Sequence, residues 1–112
     1  MIARTISIIA VAAVLGAGAS PVAAADVEAG HTKAKDVCAA CHGENGNSAT
    51  PDYPKLAGQH RDYLAKALRD YKSGLRKNPI MAGFAAGLSK QDIDNVAAYY
   101  AAQPRVLSVR HD

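Results

Sequence analysis

The sequence contains few of the large side chains from which hydrophobic cores are normally built. Its 112 residues include no Trp and a single Phe, Phe84, and much of the apolar content is Ala. A small chain buries a modest fraction of its surface, and usually needs a disulfide, a metal or a cofactor for stability. The composition therefore suggests that a bound group, such as a large apolar cofactor, completes the core.

A strong net charge is also missing. The 13 Lys and Arg residues oppose 10 Asp and Glu residues, which gives a formal net charge of +3. No block of like charge stands out, so neither nucleic acid nor a membrane surface is favoured as a partner. Internal repeats, low-complexity linkers and strand-like alternation of β-branched residues are absent as well. We therefore predict an all-α domain, in which loops rich in Gly and Pro separate the helices.

Residues 1–25 have the three parts of a secretory signal peptide. One basic residue, Arg4, precedes an apolar run over Ile6–Leu15, and small residues follow as far as Ala23-Ala24-Ala25. A membrane-spanning helix needs about 20 consecutive apolar residues, and this run is too short before Gly16 interrupts it. We predict cleavage after Ala25, which leaves residues 26–112 as one exported domain with no stable membrane insertion.

Hydrophobic spacing predicts three main helices in this domain. Apolar residues recur at helical intervals before Gly74, and glycine is a common residue at a helix end. Ser89 and Asp92 have the spacing of a capping box at the start of the last helix. The predicted helices span Val27–Ala40, Gln59–Ser73 and the stretch from Ser89 to Pro104, and the stretches Gly43–Gly58 and Gly74–Leu88 are expected to be irregular.

The motif Cys38-Ala39-Ala40-Cys41-His42 carries the clearest chemical information. C-x-x-C-H is the attachment signature of c-type haem. Each thiol adds across one vinyl group of the porphyrin, so the two sulfurs must reach one edge of the ring. The adjacent imidazole can then supply an axial nitrogen to the iron. We predict one haem c, covalently attached through Cys38 and Cys41, with His42 as a ligand to the iron.

Three other interpretations of the two cysteines remain open. A disulfide between Cys38 and Cys41 would close a very short loop and stabilise the fold little. A thioredoxin-like redox pair has the same C-x-x-C spacing, but it belongs to a fold with a central sheet, and no strands are predicted here. A zinc site would need two further ligands, and His60 and His111 do not have zinc-finger spacing.

Met81 is the predicted sixth ligand to the iron, because it is the only methionine after residue 25. It lies in a stretch that contains proline and glycine, which we expect to be a loop, and far along the chain from His42. That separation suits two ligands that approach the iron from opposite faces. The alternative is a methionine that fills a gap in the core. The remaining histidines, which have polar surroundings or lie in the C-terminal tail, are weaker candidates: His31, His60 and His111.

Residues 26–112 resemble the small class I c-type cytochromes, particularly the cytochrome c553 type and the single domains of cytochrome c4. The matching strings are Cys38-Ala39-Ala40-Cys41-His42-Gly43 with Gly46-Asn47-Ser48, Pro54-Lys55-Leu56-Ala57-Gly58-Gln59, Asn78-Pro79-Ile80-Met81, and Leu88-Ser89 through Ala98-Tyr99-Tyr100. The resemblance implies the class I cytochrome c fold, with helices wrapped around one covalently bound haem. Cytochrome c4 joins two such domains, whereas this chain has room for one.

The resemblance also implies roles for residues outside the C-x-x-C-H motif. Pro54 is expected to accept, through its carbonyl, the Nδ1–H hydrogen bond of the iron-binding histidine, and Leu56 is expected to pack on the haem. Gly30 matches the small residue that lets the first and last helices cross closely. Arg76 and Lys77 are loose matches to a residue that pairs with a haem propionate.

If the protein fills both axial positions, the iron has no vacant site for a substrate. The predicted function is therefore one-electron transfer between a donor protein and an acceptor protein in the periplasm, and not catalysis. One alternative is a haem-based gas sensor or weak peroxidase, in which Met81 leaves the iron. Another is a haem subunit that works only within a larger oxidoreductase. The oligomeric state is left open.

Overall fold

A computed structural model describes residues 12–13, 15–18 and 24–107. This part of the chain contains five α-helices. They are α1 (Val27–Val37), α2 (Ala39–His42), α3 (Arg61–Ser73), α4 (Pro79–Ala86) and α5 (Lys90–Ala101). Within these residues there is no strand, in agreement with the all-α prediction, and no helix is long and apolar enough to cross a membrane. Most of the predicted signal peptide and His111 lie outside the described residues, so the cleavage after Ala25 stays a prediction.

Helix α1 begins as predicted and ends earlier than predicted. The Asp26 carboxylate caps it by accepting hydrogen bonds from two first-turn backbone N–H groups, both at 3.0 Å. The sequence predicts that the helix continues to Ala40, but Cys38 adopts φ −109°, away from the helical value near −63°. The chain therefore bends at the first cysteine of the motif, and the short helix α2 follows and ends at His42.

Helices α1 and α5 cross at Gly30, where the two backbones are in direct contact. A Cβ atom on Gly30 would lie 2.0 Å from the carbonyl oxygen of Asn95 and 3.0 Å from the Cβ of Tyr99. Only a hydrogen atom fits in that space, so residue 30 must be glycine for the helices to approach this closely. The resemblance implies the Tyr99/Tyr100 region as the partner of Gly30, and Tyr99 does lie at this contact, although the nearest neighbour is Asn95.

Helix α5 provides the centre of the core. Its start is the predicted capping box: Ser89 Oγ accepts from the Asp92 N–H at 3.0 Å, and Asp92 Oδ2 accepts from the Ser89 N–H at 2.9 Å. The helix ends at Ala101, ahead of Pro104. Its buried residues are Ile93, Asn95, Val96, Ala97, Ala98, Tyr99 and Tyr100.

Helix α3 packs against both α4 and α5. It begins at Arg61, slightly later than predicted, and ends at Ser73 as predicted. Gly74 follows in the left-handed conformation, with φ 84°, and ends the helix. Glycine adopts this conformation easily because it has no Cβ. The apolar residues of α3 at helical intervals, as the sequence predicts, are Leu64, Ala67, Leu68 and Tyr71, and all four line one cavity.

The prediction of an irregular stretch over Gly74–Leu88 is wrong for residues 79–86, which form α4. The Asn78 side chain caps this helix, because its Oδ1 accepts from the N–H groups of Ile80 at 3.0 Å and Met81 at 3.1 Å. Pro79 occupies the first turn, where a proline interrupts no helical hydrogen bond. Met81 therefore lies on a helix, and its assignment as a ligand gains no support from a position in a loop.

The core is thin, as the composition predicts. Its largest fully buried side chains are Tyr100 and Ile93, and several other members are alanines. The buried cluster consists of Ala34, Leu64, Ala65, Leu88, Ile93, Val96, Ala97, Tyr99 and Tyr100. These residues hold α1, α3 and α5 together next to a cavity that α4 also borders.

Candidate haem-binding site

A cavity of about 260 Å³ lies between α2, the loop that follows it, α3, α4 and α5. Most of its wall is apolar, with contributions from Val37, Leu64, Ala67, Leu68, Ile80, Phe84, Val96 and Ala97. All of the site residues predicted from the sequence also line it: Cys38, Cys41, His42, Pro54, Leu56 and Met81. Residues that are widely separated in the chain are thus brought to the wall of one cavity.

His42 is buried, with 7% of its surface exposed, and its ring is held in one orientation. Its Nδ1 lies 2.8 Å from the carbonyl oxygen of Pro54. A carbonyl oxygen can only accept a hydrogen bond, so the proton must be on Nδ1 and that nitrogen donates. In the neutral ring, Nε2 then carries the free lone pair, which is the form of histidine that binds a metal.

The loop from Gly43 to Gly58 positions the Pro54 carbonyl. The carbonyl oxygen of Gly46 accepts from the N–H groups of Leu56 at 2.8 Å and Ala57 at 3.1 Å, which ties the two ends of the loop together. Gly46 has φ 81°, and a Cβ there would lie 2.7 Å from the Tyr100 ring. The glycine allows the loop to turn tightly against α5 and carry Pro54 over His42.

Cys38 and Cys41 are unpaired thiols, and both are half-buried. Burial raises the pKa of Cys38 to about 11, an effect that outweighs the opposing hydrogen bond with Tyr100. A thiol with this pKa stays protonated at neutral pH, whereas redox-active and metal-binding cysteines react as thiolates. The burial of Cys38 therefore does not favour the thioredoxin-like interpretation. Among the described residues, no group of three or more His, Cys, Asp or Glu side chains is placed to hold a zinc ion.

Met81 lies in the first turn of α4, and its side chain is half-buried on the cavity wall. Helix α4 packs on α3, so Met81 is held by a different part of the fold from His42, which ends α2. Of the other candidate ligands, His31 lies away from the cavity, with its Nε2 3.1 Å from Glu44 Oε1 and its ring stacked on Tyr99. His60 does not line the cavity either.

The cavity wall also contains polar groups. Arg76 has its Nη1 3.4 Å from the Tyr63 hydroxyl, and its guanidinium carbon is 4.8 Å from the centre of the Tyr71 ring. The hydrogen bond with Tyr63 raises the pKa of Arg76 above its already high usual value, so the group stays charged. Of the two loosely matched propionate partners, Arg76 lines the cavity and Lys77 does not.

Some residues of the cavity wall were not predicted from the sequence. Ile80 and Phe84 both line the cavity, and their i, i+4 spacing on α4 is the signal that was available. This signal is weak because a proline and a glycine lie within the same stretch. Tyr63 was missed because half of it is exposed and no hydrophobic pattern distinguishes it from a surface residue.

The family model of cytochrome c matches residues 27–102. The chain belongs to the cytochrome c family. It is 50% identical over 80 residues to cytochrome c4 of Thiocapsa roseopersicina, an alignment that covers 71% of this chain and 41% of that protein. It is 42% identical over 83 residues to cytochrome c-554(548) of Halomonas halodenitrificans, with coverage of 71% and 99%.

The same family relationship is seen in three dimensions. The crystal structure of cytochrome c4 from Pseudomonas stutzeri superposes with a TM-score of 0.67 at 46% identity, and the match covers 72% of this chain and 47% of that one. The class I cytochrome c fold and the cytochrome c4-like resemblance are therefore confirmed. The chain spans about two fifths of the length of the cytochrome c4 relative from Thiocapsa roseopersicina.

The cytochrome c family implies a covalently bound haem c, and the residues of this cavity fit that group. Two cysteine thiols, and an imidazole whose Nε2 is left free, line one apolar cavity next to a thin core. A thioether lies on the wall that α4 contributes. Sulfur and imidazole donors in apolar surroundings are the groups by which proteins hold haem.

Proposed function

We propose that this chain is an exported, monohaem one-electron carrier, with its iron held between His42 Nε2 and Met81. When bound, haem supplies an iron centre that gains and loses one electron. The observation that carries the proposal is the hydrogen bond between His42 Nδ1 and the Pro54 carbonyl, in a cavity that Met81 also lines. This hydrogen bond fixes the tautomer that a metal ligand needs.

In this proposal, the two cysteines, the histidine and the methionine have different roles. Cys38 and Cys41 hold the porphyrin covalently, so that a chain with a thin core does not lose the group that completes it. His42 supplies an imidazole nitrogen whose orientation is set by Pro54. Met81 supplies a soft thioether, which stabilises the reduced iron and raises the reduction potential.

The wall of the cavity contributes to the proposed function as well. Apolar side chains, among them Leu56 and Phe84, would limit the access of water to the haem. Apolar surroundings favour the reduced iron, because it carries less charge than the oxidised iron. If His42 and Met81 both hold the iron, no position on it would be left for a substrate. The chain would then pass electrons between a donor and an acceptor protein in the periplasm, after cleavage of a signal peptide at residues 1–25.

Replacement of the sixth ligand tests this proposal. Met81→Ala should leave the haem covalently attached and open one axial position, so the reduced variant should bind carbon monoxide while the parent does not. Ile80→Ala is the matched control, because Ile80 is the neighbouring residue on α4, lines the same cavity and is 65% exposed. This control should bind carbon monoxide as poorly as the parent does.

Two results would contradict the proposed ligand. If Met81→Ala binds carbon monoxide no better than the parent, Met81 is not on the iron. If the parent itself binds carbon monoxide readily, the sixth position is open or labile, and the gas sensor or weak peroxidase becomes the better interpretation. Co-purification of the haem protein with a larger oxidoreductase would instead identify it as a subunit.

A further inference from the structure

Asp26 is held by both its backbone and its side chain, and it is also the residue that the predicted cleavage exposes. Its backbone N–H donates to Asn95 Oδ1 at 2.8 Å, and its carbonyl accepts from the N–H of Gly30 at 2.9 Å. Its own carboxylate caps α1. Ala24, in contrast, is exposed, and Ala25 is only half-buried.

Asn95 is a buried polar residue at the crossing of α1 and α5, with 6% of its surface exposed. Its Oδ1 accepts two hydrogen bonds of 2.8 Å, one from the Asp26 backbone N–H and one from Gln91 Nε2. An amide oxygen has two lone pairs, so these two donors satisfy it. A buried acceptor is thus directed at the nitrogen atom that becomes the terminal amine if the chain is cut after Ala25.

We propose that Asn95 is the receptor for the α-ammonium group that removal of the signal peptide creates on Asp26. Cleavage at this bond changes an amide N–H, with one proton and no charge, into an ammonium with three protons. A hydrogen bond from a charged donor is stronger than one from a neutral amide. The inference rests on the predicted cleavage after Ala25, which is part of the proposed function.

Local charges explain why the ammonium needs such an acceptor. It lies at the N-terminus of α1, where the positive end of the helix dipole disfavours a cation. The carboxylate of Asp26 offsets this effect, but its Oδ1 already accepts from the first turn of the helix. Asp94 lines the groove that Ala24 and Ala25 also line, but its carboxylate is 3.5 Å from Arg69 Nη1. The amide oxygen of Asn95 is therefore the acceptor that already points at this nitrogen.

A double-mutant cycle on the exported, haem-loaded protein tests the inference. One axis compares the chain that starts at Asp26 with a chain that keeps one extra Ala before it, in which the Asp26 nitrogen is again an amide. The other axis is Asn95→Ala. We expect Asn95→Ala to raise the equilibrium constant for unfolding about tenfold more in the chain that starts at Asp26 than in the chain with the extra Ala. This difference corresponds to about 1.4 kcal/mol of coupling. Gln103→Ala, which removes a side-chain amide just beyond the opposite end of α5, is the matched control and should affect both chains equally.

A second measurement does not depend on how well Asn95→Ala folds. Under native conditions, an amine-selective acylating reagent should modify the α-amine of the unmutated chain at least tenfold more slowly than that of the chain with the extra Ala. Equal acylation rates, or a coupling below twofold, would overturn the inference. A mass that places the mature terminus at another residue would also overturn it. Visible spectra of the same samples report the haem site separately, so a failure here is distinguishable from a failure of the proposed function.

Discussion

The crossing of α1 and α5 makes Gly30→Ala a demanding test of the fold. The added Cβ would lie 2.0 Å from the carbonyl oxygen of Asn95, whereas carbon and oxygen normally approach to about 3.3 Å. The obstacle is a backbone atom that cannot rotate away, so the two helices must separate by about 1 Å or more. Because this crossing sets the positions of both helices, the whole contact has to adjust.

The expected magnitude follows from two opposing effects. Overpacking of a tight contact costs about 1–3 kcal/mol, and a backbone clash belongs at or beyond the upper end of that range. Alanine in place of glycine in a helix returns about 1 kcal/mol. We therefore expect Gly30→Ala to lower the free energy of unfolding by about 2 kcal/mol, and the melting temperature by about 10 °C for a domain of this size.

Gly83→Ala is the matched control for this prediction. Gly83 lies within α4, and a Cβ on it would meet no atom within 4 Å. Only the helix propensity changes there, so this variant should be more stable than the parent by about 0.5–1 kcal/mol. Thermal and urea unfolding of both variants measure the difference. A Gly30→Ala protein as stable as the parent would refute the close crossing.

Two further variants test the cap of α5 and the role of the haem in the core. Hydrogen bonding from the Ser89 backbone lowers the pKa of Asp92 below its usual 3.8, so the stability it adds is present above that pH and is lost as the pH falls through the lowered value. Asp92→Ala should therefore lower the free energy of unfolding by about 1 kcal/mol at pH 7 and leave it unchanged at a pH low enough to protonate Asp92. Urea titrations at these two pH values measure the effect, and an equal loss at both would contradict the prediction. Replacement of both Cys38 and Cys41 by Ala should abolish covalent haem and most of the helical circular dichroism, and a well-folded, colourless variant would show that the haem is not needed to complete the core.

The helices that the sequence predicted well are those with strong local signals. The capping box at Ser89 and Asp92 determines where α5 begins, and Gly74 determines where α3 ends. Both features depend on residues that are close together in the chain. Helix α4 was missed because Pro79 suggests a break, although a proline after an Asn cap begins a helix equally well.

The site itself was predictable in its chemistry and less so in its geometry. The C-x-x-C-H motif is local, so Cys38, Cys41 and His42 could be identified directly. The hydrogen bond from His42 to Pro54 spans a loop, and no periodic pattern in the sequence encodes it, so the expectation came from the family resemblance. The contact of Gly30 with Asn95 joins the two ends of the domain, and its closeness is visible only in three dimensions.

We propose that one haem iron is held between His42 and Met81. The visible spectrum of the purified protein, oxidised and then reduced, with carbon monoxide added to the reduced form, tests it most directly. Ligation by His42 and Met81 predicts sharp low-spin bands, a weak far-red iron–sulfur band in the oxidised form and no response to carbon monoxide. A high-spin spectrum that shifts when carbon monoxide is added would contradict it.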